Sequence, residues 1–555
     1  MSADLVSLDP SHHTNVALHA ADKVPVGRVR LLLGCLGWPS GVLELASWSK
    51  HQGLAEVVVV QLQPDEAGHQ RLAKRLDEFR PHVVGFRLEA GRFDETRQFI
   101  ETVRHHSDAE VVLGGPTATS HPLDVLTQSG ADYVFAGEAE QSLNQFLRLA
   151  WRRNSKDRAA DIPGLAYRYG NRDCFNTLPR DGHERSVWDH DRLVCCSTLR
   201  CLRCKIRPAV SAELMSENRL DWSTLENFAD PSDALYFTAG RGCPGACTFC
   251  AKLHGNEVRY KNAAQLLEEI EAADAKVSDG TLQVTRWPLF RHVANPELKP
   301  KQVAWAAVYD EDFLLFRDRA IEFFRLWDAS PLSERYRLSF QANPCSMLAA
   351  DGTADEDLLD WIDRLKPMVQ LGAESFNGEL LARWHKRHDL RQLHTALDAL
   401  DRTQQDYTVF QLLTDFDTTP EELVDTLWLL IVNALRRRRM RIASSPLTIP
   451  LYDSDTRRLL EYGGRLGPDR IRDFSDYERP QPGWMDPLAA ELAELADAEL
   501  QFALEPEHRD AALVQAFESV VARLRCEPPG ARIRLLCDQA TWALDRIHDA
   551  RFQPV

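Results

Sequence analysis

Long apolar runs and an excess of basic charge are both missing from this sequence, and each absence excludes a class of protein. The longest mostly apolar stretch, Leu427–Leu435, is far shorter than the roughly 20 residues of a membrane-spanning helix. Residues 1–25 are polar and carry no apolar segment of the kind that a secretory leader needs, so we expect a cytoplasmic protein. The net charge of −17 argues against nucleic acid as a main partner, because phosphate binding needs a basic face.

The remaining composition is that of a globular protein with several domains. The chain has 555 residues, of which 44% are hydrophobic and 27% charged, ordinary values for such proteins. Twelve cysteines without a secretory leader indicate a reducing compartment, where clustered cysteines hold metal more often than they form disulfides.

The most informative stretch is Arg241–Cys250, with three cysteines spaced C-x3-C-x2-C. Two glycines and a proline within it favour a loop over a helix or strand. Three thiolates at this spacing suit three corners of a four-iron cluster, whose fourth iron then stays open for a ligand. A zinc site is an alternative, although structural zinc usually has four protein ligands and paired C-x2-C spacings. Three incidental core cysteines are the other alternative.

Before this loop, short apolar runs alternate with amphipathic stretches, which predicts a doubly wound parallel α/β sheet. Such a sheet binds ligands at the carboxyl ends of its strands, where this sequence has glycine-rich loops. The predicted strands are Val29–Leu33, Glu56–Gln61, His82–Arg87, Glu110–Leu113 and Tyr133–Ala136. The predicted helices are Gly41–His51, Glu66–Phe79, Phe93–His105, Pro122–Ser129 and Gln141–Trp151.

After the loop the same alternation predicts six βα units, a partial (β/α)6 barrel with its chemistry at the carboxyl ends of the strands. Its first strand leads into the cysteine loop. The other predicted strands are Val303–Val308, Arg337–Gln341, Met368–Leu371, Tyr407–Leu412 and Met440–Ser444. Three amphipathic helices are predicted in the tail, at Pro487–Phe502, Glu507–Arg525 and Ala531–Arg551. The expected organisation is a flexible leader (1–25), the first domain (26–160), a connector (161–233), the barrel (234–452) and a helical C-terminal domain (453–555).

The cysteine triplet, with the aromatic Phe249 just before its last cysteine, resembles the signature of the radical S-adenosylmethionine (radical SAM) enzymes. The resemblance implies that Cys243, Cys247 and Cys250 hold a [4Fe-4S] cluster and that SAM chelates the open iron. By the same resemblance, Asp310, Asp312 and Glu374 at the strand ends help to hold SAM. The alternative for each of these acids is that it caps the following helix.

The first domain looks like the cobalamin-binding, Rossmann-like domain that precedes many radical SAM domains. The matching segments are Gly114-Gly115-Pro116 and Gly137-Glu138. No Asp-x-His-x-x-Gly motif occurs, so no such histidine ligates cobalt from below, and a charged residue of the 87–92 loop is a candidate to face it. A flavodoxin-like sheet without cofactor, or with another nucleotide, is the alternative. The predicted cobalamin contacts are Gly34, Arg87, Gly114, Gly115, Pro116, Thr117, Gly137 and Glu138.

A second cysteine cluster lies in the connector, at Cys195, Cys196, Cys201 and Cys204. A C-x2-C pair is a common half-site for zinc, but no second pair completes it obviously. A second metal site, a redox or incidental cluster, and a link to the catalytic cluster therefore stay open.

The resemblance implies an enzyme with a [4Fe-4S] cluster, SAM and cobalamin, served by an electron donor such as flavodoxin or ferredoxin. The expected reaction moves a methyl group from SAM, via methylcobalamin, to a carbon of a small-molecule or peptide precursor in antibiotic or other natural-product biosynthesis. Tryptophan is one candidate substrate type, and both radical and polar transfer stay open. The alternatives are a cobalamin-dependent radical SAM cyclase or rearrangement enzyme, and a non-catalytic iron–sulfur or cobalamin sensor.

Overall fold

The structure, a computed structural model, describes most of the first domain, the barrel and the tail. The leader (1–25) and the cysteine cluster of the connector (195–204) lie outside the described residues. The described residues are 29–150, 159, 162–169, 172–175, 188–189, 192–193, 210–226, 228, 231–250, 253–288, 302–445, 486–504 and 508–552.

The first domain is a seven-stranded sheet in the order β2-β1-β3-β4-β5-β6-β7. Strands β1 to β5 are parallel, and β6 and β7 add an antiparallel edge. The sheet confirms the predicted doubly wound α/β fold, and its order places a topological switch point beside β1. The strands are β1 (Val29–Cys35), β2 (Ala55–Gln61), β3 (Val83–Arg87), β4 (Glu110–Gly114), β5 (Tyr133–Phe135), β6 (Leu165–Tyr169) and β7 (Arg172–Phe175). The helices are α1 (Ser40–His51), α2 (Glu66–Phe79), α3 (Phe93–His106), α4 (Pro116–Ser120), α5 (Pro122–Ser129) and α6 (Glu140–Ala150).

Helix α2 illustrates how local sequence determines these elements. Asp65 caps its first turn by accepting a hydrogen bond from the Gly68 amide at 2.8 Å. Leu72, Leu76 and Phe79 recur at helical spacing and are buried against the sheet. The helix ends at Arg80, which adopts a left-handed conformation with φ of 49°.

Six parallel strands form the second sheet, in the sequential order β10-β14-β15-β16-β17-β18 expected of a partial barrel. The strands β11 and β12 form a separate antiparallel ribbon, and β13 pairs antiparallel with the first residues of β14. The connector contributes a hairpin, β8 (Trp188–Asp189) and β9 (Arg192–Leu193), and a helix, α7 (Ala212–Glu217). The strands that follow are β10 (Leu235–Phe237), β11 (Gly240–Arg241), β12 (Arg259–Tyr260), β13 (Trp287–Pro288), β14 (Gln302–Val308), β15 (Tyr336–Ala342), β16 (Met368–Glu374), β17 (Tyr407–Leu412) and β18 (Met440–Ser445).

Helices cover one face of this sheet, because alternate residues of its strands are apolar and fully buried. In β16, Val369, Leu371 and Ala373 are buried, whereas Met368 and Gln370 on the other face are only partly covered. The helices of this domain are α8 (Ala263–Ser278), α9 (Arg317–Ala329), α10 (Leu332–Arg335), α11 (Glu356–Leu365), α12 (Gly378–Arg383), α13 (Leu390–Arg402) and α14 (Pro420–Arg436).

The predicted tail helices are present as α15 (Pro487–Leu500), α16 (Arg509–Arg525) and α17 (Ala531–Phe552). Arg509, which is buried, donates to the carbonyl oxygens of Arg437 at 2.7 Å and Met440 at 3.0 Å, so it ties α16 to the start of β18. In the part of the chain that the structure describes, no helix is both long and apolar enough to cross a bilayer.

Candidate active site

The cysteine loop is closed at its base by the β11–β12 ribbon, in which Arg241 pairs with Arg259. The amide of Cys243 donates to the carbonyl oxygen of Gly255 at 3.1 Å, which extends this closure. Gly242 has φ of 92°, and a Cβ there would lie 2.1 Å from the Glu257 carbonyl oxygen, so only glycine fits. The predicted loop is therefore a compact excursion between two paired stems.

Cys243, Cys247 and Cys250 are partly buried and form no disulfide. The Gly245 amide donates a hydrogen bond to the Cys243 sulfur at 3.4 Å. Among the described residues, no group of three or more His, Cys, Asp or Glu side chains is arranged to hold a metal ion. The loop itself offers three thiols, which is the number of protein ligands that a four-iron cluster with one open iron uses.

A turn at residues 384–388 lies behind the loop, and sequence reasoning did not identify it. The carbonyl oxygen of Trp384 accepts from the Thr248 amide at 3.0 Å, and its ring meets Phe249 edge-on at 5.9 Å. The buried Lys386 Nζ lies 3.2 Å from Glu374 Oε1. Burial would lower the pKa of Lys386, but the charges of Glu374 and of the nearby Cys247 raise it, so the ammonium is charged. The pointer to this ion pair in the sequence is the presence of a lysine twelve residues after Glu374.

Asp312, one of the predicted SAM-side acids, is held by several donors. It accepts from the Asn343 amide at 3.2 Å, the Ser346 hydroxyl at 2.6 Å and Arg387 Nη1 at 3.1 Å. Burial raises its pKa, and these donors only partly oppose the shift. The Arg387 side chain also lies beside Gly245, so Asp312 connects the end of β14 to the cysteine loop.

Asp310 uses both of its carboxylate oxygens within the protein. Oδ1 accepts from the amides of Ala239 at 2.7 Å and Gly240 at 2.6 Å, and Oδ2 accepts from Arg319 at 3.0 Å. The carboxylate thus fixes the backbone that enters the cysteine loop.

Glu374, by contrast, ends β16 at a register shift, with φ of 65°. Of the three predicted acids, it is Glu374 that lies beside Lys386.

A half-open cavity enclosing about 240 Å³ lies at the carboxyl ends of the first sheet. Gly41 and Gly114 line it, and a Cβ at either position would meet no atom within 4 Å, so both glycines leave room for a ligand. Gly115 has φ of 103°, and a Cβ there would lie 2.9 Å from the Leu88 carbonyl oxygen. The cavity is mostly apolar, but Arg87 and three glutamates also reach it.

The structure brings six of the eight predicted cobalamin contacts to this cavity. Gly34 is not among its lining residues, because a Cβ there would meet Leu62 and Phe86 at 2.7 Å inside the domain. Thr117 is also not part of the lining; it is fully buried, and its hydroxyl has no hydrogen-bond partner among the described residues. The lining includes Arg87, Gly114, Gly115, Pro116, Gly137 and Glu138.

Glu138 joins the first domain to both stems of the cysteine loop. Arg259 donates to its two oxygens at 2.7 and 2.9 Å, Arg241 Nη1 lies 3.2 Å away, and His254 Nδ1 lies 2.9 Å away. The Val210 amide adds a hydrogen bond at 2.6 Å. Burial alone would raise the pKa of Glu138, but the His254 and Arg259 hydrogen bonds and the Arg241 charge hold it well below its usual range.

Further buried charges extend this contact. Arg241 also pairs with Glu44 and with Glu140, the latter at 2.7 Å, and Lys261 Nζ lies 3.2 Å from Glu44 and 2.9 Å from Glu269. Burial raises the pKa of Glu269 to about 7, against the opposing charge of Lys261. We refer to this set as the interdomain clasp, which comprises Glu44, Glu138, Glu140, Arg241, His254, Arg259, Lys261 and Glu269.

Comparison with known families agrees with this geometry. Residues 36–147 match the B12 binding domain family, and residues 237–430 match the radical SAM superfamily. The chain is a radical SAM protein with a B12-binding domain. Both predicted family resemblances are thereby confirmed, and the chain is a cobalamin-dependent radical SAM enzyme. No curated protein matches its sequence.

Among the solved structures that share the fold across nearly the whole chain, two illustrate the likeness. One is the cobalamin-dependent S-adenosylmethionine radical enzyme OxsB with aqua-cobalamin and S-adenosylmethionine bound, at 13% identity and a TM-score of 0.61, covering 94% of this chain and 72% of OxsB. The other is the methyltransferase TsrM from Kitasatospora setae with tryptophan and the SAM analogue aza-SAM bound. It has 15% identity and a TM-score of 0.59, covering 94% of this chain and 99% of TsrM. At these identities the likeness establishes the fold alone.

The two families imply a [4Fe-4S] cluster, SAM and cobalamin, and the residues present fit these groups. Three partly buried thiols on a closed loop match the cluster's donor set. Because Gly41 and Gly114 carry no side chain, they leave room for a bulky ligand at the switch-point edge of the sheet.

Proposed function

We propose that this enzyme transfers a methyl group from SAM, with cobalamin as the carrier, to a carbon of a small molecule or peptide. The main support is that the cysteine loop and the cavity of the first domain share a wall. Thr238 and Arg241 precede the cysteines, Leu253 and His254 follow them, and all four line the cavity. Such adjacency suits a reaction in which the methyl donor, SAM, and the methyl carrier, cobalamin, must meet.

When bound, the cluster supplies an electron and an open iron for SAM, and cobalamin supplies a cobalt centre that accepts and releases methyl groups. The chain's own contribution is binding and orientation. SAM ends in an amino acid, which carries a carboxylate and an ammonium group. The Lys386–Glu374 pair offers a partner for each, a cation and a carboxylate 3.2 Å apart behind the cysteine loop.

We assign Asp310 and Asp312 a supporting part in SAM binding. The Asp310 carboxylate holds the backbone at Ala239 and Gly240. The Asp312 carboxylate holds Arg387, whose side chain lies beside Gly245 of the cysteine loop. Rigid support of this kind preserves the geometry of a bound cofactor.

Arg87 is our candidate to face cobalamin from the first domain. It lines the cavity and pairs with Glu89 at 3.1 Å. A guanidinium has no lone pair to give to a metal. The chain also lacks the Asp-x-His-x-x-Gly motif, whose histidine would ligate cobalt. With Arg87 in this place instead, cobalt would be weakly ligated from the protein side, and weakly ligated cobalt suits acceptance of a methyl group.

The test is anaerobic incubation with methyl-deuterated SAM, cobalamin and a reductant, followed by mass spectrometry of the extracted corrinoid. We expect deuterated methyl on the corrinoid together with S-adenosylhomocysteine, and neither product when cobalamin is left out. An unlabelled corrinoid with 5′-deoxyadenosine would instead indicate a radical cyclase or rearrangement enzyme. Intact SAM in the presence of both bound cofactors would indicate a sensor.

A further inference from the structure

The cysteine loop and the cobalamin cavity are parts of one continuous segment of chain. Residues that line the cavity lie on both sides of the three cysteines, at Thr238 and Arg241 before them and at Leu253 and His254 after them. Any ligand that orders the loop therefore also orders one wall of the cavity. Likewise, a ligand that orders this wall of the cavity also orders the cysteine loop.

Glu138 lies at the centre of this arrangement, because one carboxylate of the first domain contacts both stems of the loop. Arg241 belongs to the entering stem, whereas His254 and Arg259 belong to the returning stem. The side chains of Glu138, Arg241 and Arg259 are each at most 7% exposed. Charged groups this deeply buried are tolerated only while their partners stay in place, so the clasp favours one arrangement of the two domains.

We infer that Glu138 is a positioning residue that couples cobalamin binding to the presence of the iron–sulfur cluster. The cluster holds the cysteines, which fixes both stems and completes the cavity wall. Cobalamin in the cavity stabilises the same stems from the other side. Such coupling is reciprocal, so each group raises the affinity of the chain for the other by the same factor. The inference concerns binding alone and stands whether or not a methyl group is transferred.

The experiment measures the dissociation constant of hydroxocobalamin anaerobically, by equilibrium dialysis of the full chain. The chain with its reconstituted cluster is compared with a cluster-free chain in which Cys243, Cys247 and Cys250 are all replaced by serine. We expect at least about five-fold tighter cobalamin binding when the cluster is present. In Glu138→Gln, which keeps the shape of the side chain but loses its charge, we expect this ratio to fall below about two.

The matched control is Glu356→Gln, since Glu356 forms an exposed ion pair with Arg402 and neither residue belongs to the clasp. It should keep the wild-type ratio. Equal cobalamin affinity of the cluster-loaded chain and of the chain with the three serines would overturn the inference, and so would an undiminished ratio in Glu138→Gln.

A second variant and a second measurement keep the inference testable if Glu138→Gln does not fold. Arg259→Lys keeps the charge but loses the two-point contact with Glu138, so it should reduce the ratio, and an unchanged ratio would contradict us. Hydrogen exchange gives the other readout. Cobalamin should slow amide exchange in residues 243–250 of the cluster-free chain when Glu138 is present, and the same slowing in the combined Glu138→Gln variant would refute the coupling.

Discussion

Lys386 forms a buried ion pair with Glu374, with 3.2 Å between Nζ and Oε1, directly behind the cysteine loop. The lysine side chain is 6% exposed and lies 5.7 Å from the centre of the Phe249 ring. The turn that carries it is fixed by Trp384, which bonds to the loop and to Asp415. A positive charge is thereby held where a negatively charged cluster and the carboxylate of SAM are expected.

We predict that Lys386→Met weakens SAM binding by about tenfold or more, because charge-assisted contacts of this kind contribute about 1.5–3 kcal/mol. Lys386→Arg should retain most of the affinity. Anaerobic equilibrium dialysis with labelled SAM measures both. The control is Lys276→Met, which removes a lysine paired with Asp279 on the surface of the domain. Wild-type SAM affinity in Lys386→Met would rule out our assignment of this pair.

Gly242→Ala should abolish assembly of the cluster. The added Cβ would lie 2.1 Å from the Glu257 carbonyl oxygen at a backbone φ of 92°, so the loop has to change shape. Gly255→Ala is the matched control, because its φ of 74° is also positive but its Cβ meets no atom within 4 Å. We expect fewer than about one iron per chain in the first variant and nearly the full complement in the second. The measurement is the iron content of each variant after anaerobic reconstitution. A full cluster in Gly242→Ala would contradict the loop geometry.

Gly114→Val should impair cobalamin binding without loss of iron. Its side chain would project into the cavity, since a Cβ at Gly114 meets nothing within 4 Å. Gly530→Val, at a surface position that is equally open, serves as the control. Cobalamin retained after gel filtration is the measurement. Undiminished cobalamin in Gly114→Val would place the cofactor elsewhere.

Glu269 predicts a pH dependence of stability. Its pKa in the folded chain is raised to about 7, so its contribution to stability is full below its ordinary value of 4.5 and is lost as pH rises through 7. The loss is about 3 kcal/mol, because the pKa rises from 4.5 to about 7 and each pKa unit corresponds to about 1.36 kcal/mol. Glu269→Gln does not titrate, so its urea midpoint relative to the wild type should be higher at pH 8 than at pH 5. An offset independent of pH would show that Glu269 does not titrate in this range.

The elements that follow from local sequence were predictable almost residue by residue. The bounds of α2 were predicted correctly because the Asp65 cap and the spacing of its apolar residues are both local signals. The cysteine loop was predictable from its two glycines, its proline and the spacing of its cysteines, which are also local signals. Strand ends were identified well enough to place Asp310, Asp312 and Glu374 at the correct edge of the sheet.

The partners of these side chains were not predictable, because they come from distant parts of the chain. Glu138 and Arg259 are separated by 121 residues, and nothing local distinguishes Arg259 or Lys261 from surface charges. Gly34 resembled a ligand-binding loop glycine, yet it belongs to β1 and packs toward Leu62 and Phe86. The clasp pairings depend on how the two domains dock, and the packing of Gly34 depends on how β1 meets its neighbours within the first domain. No periodic pattern encodes either.

The most direct test of the account is the metal and corrinoid content of the anaerobically reconstituted chain, together with the electron paramagnetic resonance of its reduced cluster. We predict about four iron atoms and one cobalamin per chain, and a change in the cluster signal when SAM binds the open iron. Serine in place of Cys243, Cys247 and Cys250 should remove the iron. A folded chain that cleaves SAM without iron, or whose cluster signal ignores SAM, would contradict the account.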